Sequence, residues 1–153
     1  MAVKEVKDMG ASVLARLKKQ AKETEINYQT CLQLFAQEEF LRKLEMSQYA
    51  ENLVLKGGMF LYTISNFEGR PTMDIDFMLR RMSNDIANVE AIIKEICKMD
   101  TNNDFIDIEV VGTREITPEK KCHCQEKCIF RCIRWRRAVQ YESSGNRCGC
   151  FGM

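Results

Sequence analysis

A chain of 153 residues, 45% hydrophobic and 29% charged, fits one globular domain with a core of its own. Its formal net charge of +1 leaves overall charge with no argument for nucleic-acid binding, yet the charge is uneven: residues 1–121 carry 17 Lys+Arg against 20 Asp+Glu, a net of −3, and residues 122–153 carry 6 against 2, a net of +4. No signal-peptide core and no run of about eighteen apolar residues occurs, so the expectation is a cytoplasmic protein with no membrane partner, whose eight cysteines are thiols or metal ligands rather than disulfides.

Val13, Leu14, Leu17 and Ala21 recur at helical spacing through residues 11–22, with Arg16, Lys18 and Lys19 between them, which predicts an amphipathic helix. Asn27 is the expected N-cap of a longer helix from about Tyr28 to Met46, with Cys31, Leu32, Phe35, Leu41 and Leu44 on its apolar side.

Residues 53–79 hold the most information. Leu53-Val54-Leu55 has the length and composition of a buried strand, and Lys56-Gly57-Gly58 interrupts it. Paired glycines allow positive φ and remove the Cβ atoms that would keep phosphate oxygens from the amides. Met59–Ile64 reads as a helix beginning just past them, where unpaired N–H groups and the helix dipole favour an anion. Further on, Asp74-Ile75-Asp76-Phe77-Met78-Leu79 alternates, with Asp74 and Asp76 on one face and Ile75, Phe77 and Leu79 on the other. On a strand the two acids stand roughly 6.5 Å apart at Cα, a separation that lets both reach one divalent cation or bridge two. Acids at i and i+2 after a Gly-Gly turn suit metal-assisted phosphoryl or nucleotidyl transfer.

This stretch resembles the nucleotidyltransferases related to DNA polymerase beta, whose signature is a Gly-Gly or Gly-Ser turn followed by Asp-x-Asp on the next strand. Leu55-Lys56-Gly57-Gly58-Met59 and Arg70-Pro71-Thr72-Met73-Asp74-Ile75-Asp76-Phe77 are similar to one branch, the AbiEii/AbiGii-type nucleotidyltransferase toxins. The paired N-terminal helices fit the same branch, so the resemblance covers roughly residues 9–121. It implies Asp74 and Asp76 as catalytic, metal-holding residues, with Gly57, Gly58, Lys56 and Thr72 on the nucleotide. It further implies Mg²⁺ or Mn²⁺ as cofactor, a nucleoside triphosphate as substrate, tRNA as acceptor and a cognate antitoxin as partner.

Past the Asp-x-Asp strand, Ser83 or Asn84 is the expected cap of a helix reaching Met99, with Ile86, Val89, Ile92, Ile93 and Ile96 in one buried stripe. Residues 105–111 alternate again as a strand, Ile106, Ile108 and Val110 opposite Asp107 and Glu109. The order β, turn, α, β, α, β predicts an α/β (α+β) domain with helices covering one face of a sheet; the resemblance implies a small mixed sheet behind N-terminal helices.

Two-metal transfer commonly uses three carboxylates, and no later strand carrying a third is expected in this chain; Asp107 and Glu109 do not match its position in the family. The domain is therefore read as residues 1–121, with residues 122–153 a Cys/Arg-rich tail lacking periodicity. Three readings of that tail stay open: a zinc site drawn from Cys122, Cys124, Cys128, Cys132, His123, Cys148 and Cys150; a reactive thiol cluster beside Arg131, Arg134, Arg136 and Arg137; and a truncated or out-of-frame, disordered continuation. The run around Trp135 also has the composition of a basic, aromatic nucleic-acid contact, though such short runs are more often solvated. Beside the transferase expectation stand an inactive remnant that keeps a metal–nucleotide pocket and a small zinc-binding protein.

Overall fold

The computed structural model describes residues 8–103, 106–110 and 112–113, and the backbone alone of residues 133–136. Helix α1 spans Met9–Glu23, and its start is fixed by Asp8, whose carboxylate accepts from the Ala11 amide at 2.8 Å. Leu17 and Ala21 are buried where α1 packs along α2, while Val13 and Leu14 are half-buried.

Helix α2, Tyr28–Glu45, is capped as expected by Asn27, which accepts from the Gln29 amide at 2.8 Å. Its inward face differs from the expected one. Phe40 is the most deeply buried side chain of α2 at 1% exposure, whereas Leu32, Phe35 and Leu41 are only half-buried. Polar Gln37, Glu39 and Lys43 are buried with it, and the loop after α4 supplies partners for Glu39 and Lys43. The Glu39 carboxylate accepts from the Thr101 hydroxyl and, at 2.6 Å, from Asn103 Nδ2, and the Lys43 ammonium donates to the Met99 carbonyl. Hydrogen bonds to charged groups contribute about 1.5–3 kcal/mol each, so this set ties the loop after α4 to α2.

Strand β1, Leu53–Lys56, pairs antiparallel with β2, Asp76–Leu79, in the register Leu53↔Leu79, Val54↔Met78, Leu55↔Phe77 and Lys56↔Asp76. Leu53, Leu55, Phe77 and Leu79 share the face that meets the core. Helix α3, Gly57–Ile64, follows β1 without a linker and packs back on both strands. It leaves Leu61 and Ile64 exposed on its outer side.

Helix α4, Ile86–Cys97, begins at Asp85 rather than at Ser83 or Asn84. Asp85 accepts from the Asn88 amide, while Ser83 is used one step earlier, its Oγ accepting from the Asp85 amide at 3.2 Å. The expected stripe is buried at Val89, Ile92, Ile93 and Ile96, with Cys97 added and Ile86 half-buried at the start. Val89, Ile92, Ile93, Ile96 and Cys97, with Phe40, Leu44, Leu53, Phe77 and Ile108, form one core, in which the Phe40 and Phe77 rings meet at 5.9 Å. Each fully buried side chain of this size contributes roughly 1.5–3 kcal/mol.

Strand β3, Asp107–Val110, lies on α4 and pairs antiparallel with β4, Ile133–Arg136. The result is the mixed α/β architecture expected, its described strands arranged as two antiparallel ladders. Strand β4 corrects one expectation: the segment after residue 121 does contain a strand, and Ile-Arg-Trp-Arg brings no carboxylate to it. Four residues in an arginine-rich run are too few to display an apolar alternation. The cysteines of the zinc and thiol readings, with His123, lie outside the described residues.

Candidate active site

The site is built where β1 becomes α3. Lys56 ends the strand in extended conformation, and Gly57 then adopts φ +68°, the left-handed region that costs a side-chain-bearing residue about 1–2 kcal/mol. That single torsion turns the chain back and places Gly57 against β2. A Cβ on Gly57 would overlap Asp76 Oδ2 and stand 3.1 Å from its Cγ. The Asp76 carboxylate thus lies directly over bare backbone at the head of α3. Gly58 is crowded similarly, since a Cβ there would stand 3.1 Å from Thr72 Oγ1 and 3.3 Å from Thr72 Cβ. Lys56 is the register partner of Asp76, so both project from the same face of the ladder. Lys56, the N-cap of α3, makes no side-chain cap bond, so among the described residues the first-turn amides of α3 have no capping side chain.

Asp74 is placed differently from the expectation. The strand begins at Asp76, because β1 ends at Lys56, its partner, and the next β1-side residue has already turned into the helix. Asp74 therefore has no ladder position. It is exposed, and its backbone is held in a local turn: the Asp74 amide donates to Thr72 Oγ1 at 3.4 Å, and the Thr72 hydroxyl donates to the Asp74 carbonyl at 3.3 Å. The structure thus gathers Lys56, Gly57, Gly58, Thr72 and Asp76, and joins Asp74 to them through Thr72.

Two side chains that the sequence reading passed over reach the same loop. Gln33 Nε2 donates to the Met73 carbonyl and Gln37 Nε2 to the Thr72 carbonyl, each at 3.4 Å. Their signal in the sequence is a pair of amides at i and i+4 on the side of α2 that also carries Phe40.

A carboxylate and a hydroxyl beside backbone that carries no Cβ are hard oxygen donors of the kind Mg²⁺ or Mn²⁺ takes. Among the described residues no group of three or more His, Cys, Asp or Glu converges at one point. Asp107 and Glu109 are both exposed on β3, which pairs with β4 in the other ladder. Cys97 lies within the core at the end of α4, where burial pushes its thiol up to about 11, opposed in part by Lys43 and reinforced by Asp107. No helix of the described residues is long and apolar enough to cross a membrane.

A glycine turn at a helix head, closed by an aspartate from the paired strand within a small α/β domain, is the arrangement of a nucleotidyltransferase-type protein. The profile of the family described as "Nucleotidyl transferase AbiEii toxin, Type IV TA system" matches residues 39–143, well over half of the chain, and the protein belongs to that family. The match starts within α2 and continues past Lys121 through β4, where the resemblance read from the sequence stopped. Neither a curated protein nor a solved structure gives a significant match.

Proposed function

We propose that the chain transfers a nucleotidyl group from a nucleoside triphosphate to an RNA acceptor, tRNA, as the toxin of a pair with a cognate antitoxin in the cytoplasm. The reading rests on one observation: a carboxylate, Asp76, lies against the glycine that opens an uncapped helix, so anion-binding amides and a cation-binding acid share one spot. Asp74 and Asp76 hold the divalent cation, and the amides of Gly57 and Gly58 cradle the phosphates. Lys56 and Thr72 add a charge and a hydroxyl for the phosphate oxygens. The bound cation supplies neutralisation of phosphate charge and orientation of the attacking hydroxyl. The acceptor oxygen forms a bond to the α-phosphorus, the bond to the bridging oxygen breaks, pyrophosphate leaves, and the hydroxyl proton passes to solvent.

Incubation of the chain with each labelled triphosphate, Mg²⁺ and total tRNA, beside Asp74→Ala, tests the proposal. Label transfer that disappears in the variant supports it; no transfer by the unmodified chain with any triphosphate sinks the catalytic reading. A second reading, binding without turnover, draws on the two-acid character of the site among the described residues and on a β4 that carries no acid. Mg²⁺-dependent protection by triphosphate against thermal unfolding, with no label transfer, is its signature.

A further inference from the structure

We propose that Gln37, with Gln33 one turn before it on α2, is a positioning residue for the Thr72–Asp74 loop, and that the two amides set how tightly the site holds its cation with triphosphate. The proposal rests on the metal–nucleotide reading of that site.

The two glutamines are spaced at i and i+4, about 6 Å along one helix face, and they grip two successive carbonyls, those of Met73 and Thr72. Both bonds are to backbone, so they fix the path of the loop independently of its side chains. Whatever moves the Thr72 backbone also moves Oγ1, which borders Gly58 and accepts from the Asp74 amide. One helix thereby controls a proposed phosphate contact and a proposed cation ligand together.

The burial of Gln37 points the same way. Its side chain is 3% exposed, and its Oε1 has no hydrogen-bond partner among the described residues. An unpaired buried acceptor is destabilising, and an apolar side chain of similar volume would fill the space without that penalty. The bond that its amide does make runs to the Thr72 carbonyl. The loop is what the amide serves, and the fold bears a stability loss for it.

The test uses the full chain, Mg²⁺ titration, and triphosphates with a non-cleavable α–β bridge, each base in turn, with protection against thermal unfolding as the readout. Gln37→Leu is expected to keep or raise the unfolding temperature without ligand, while the Mg²⁺ concentration for half-maximal protection rises by roughly 10–100-fold, the range for groups that orient metal ligands. Gln33→Ala, at a half-buried position, shifts the same midpoint in the same direction by less. An unchanged Mg²⁺ midpoint in both variants overturns the positioning role alone. Should Gln37→Leu fail to fold, Gln33→Ala decides by its midpoint. If the unmodified chain shows no Mg²⁺-dependent protection by any triphosphate, the reading of the site falls, and the proposal falls with it.

Discussion

The Asp76 carboxylate rests against the Cα of Gly57, with Cγ 3.1 Å from where a Cβ would be and Oδ2 closer still. Gly57→Ala therefore meets two obstacles, the left-handed φ of +68° and the carboxylate itself. The torsion alone predicts a loss of about 1–2 kcal/mol in denaturant unfolding. Moving the carboxylate aside predicts loss of Mg²⁺-dependent triphosphate protection in the same preparation. Gly112→Ala is the control, since nothing among the described residues stands within 4 Å of its added Cβ; no change in either measurement is expected.

Asp74→Asn and Asp76→Asn remove one negative charge each at nearly constant shape. Asp74 is exposed and outside the ladder, so its variant is expected to unfold within about 0.5 kcal/mol of the unmodified chain. Label transfer from triphosphate to RNA falls to background in both. Transfer that survives either change would remove that aspartate from the site.

Glu39→Ala is a stability prediction far from the chemistry. The carboxylate is 2% exposed and accepts from Thr101 and Asn103; without it both donors lose their partner and a buried cavity opens in its place. A loss of roughly 2–4 kcal/mol is expected in denaturant unfolding. Glu39→Gln, which keeps the volume and one acceptor, costs less.

The raised Cys97 thiol carries a pH signature. An unfolded cysteine ionises from about pH 9, while burial holds the folded thiol neutral up to about 11. The full contribution is present below pH 9, because both states are protonated there. Between pH 9 and 11 the unfolded state releases the proton and the folded state does not, so stability falls by an amount on the order of 2–3 kcal/mol. The difference in stability between the unmodified chain and Cys97→Ala, followed against pH, should be flat below pH 9 and shrink above it.

Much of the local structure was legible in the residues. Asn27 at the head of α2, the isoleucine stripe of α4 and the Leu53-Val54-Leu55 run all depend on interactions within a few residues, and each appears where its spacing put it. The joining of Gly57-Gly58 to Asp76 was legible as a motif, because the turn demands glycine wherever the chain must reverse against a side chain. Asp74 was expected on the strand, which instead begins two residues later at Asp76: alternation shows which residues suit a strand, but pairing decides where the strand starts, and Lys56 is the last partner that β1 supplies.

The amino-acid sequence by itself determined the elements from α1 to β3, the glycine turn and the identity of the acids that follow it, since capping, periodicity and positive φ are properties of short stretches. Only the tertiary structure decided that Phe40 rather than Phe35 fills the core, that Gln33 and Gln37 reach across to the Thr72–Asp74 loop, and that Ile133–Arg136 lies beside β3. Those contacts join residues far apart in the chain. Their free energy depends on which surfaces meet once the helices pack, and no local pattern encodes that meeting.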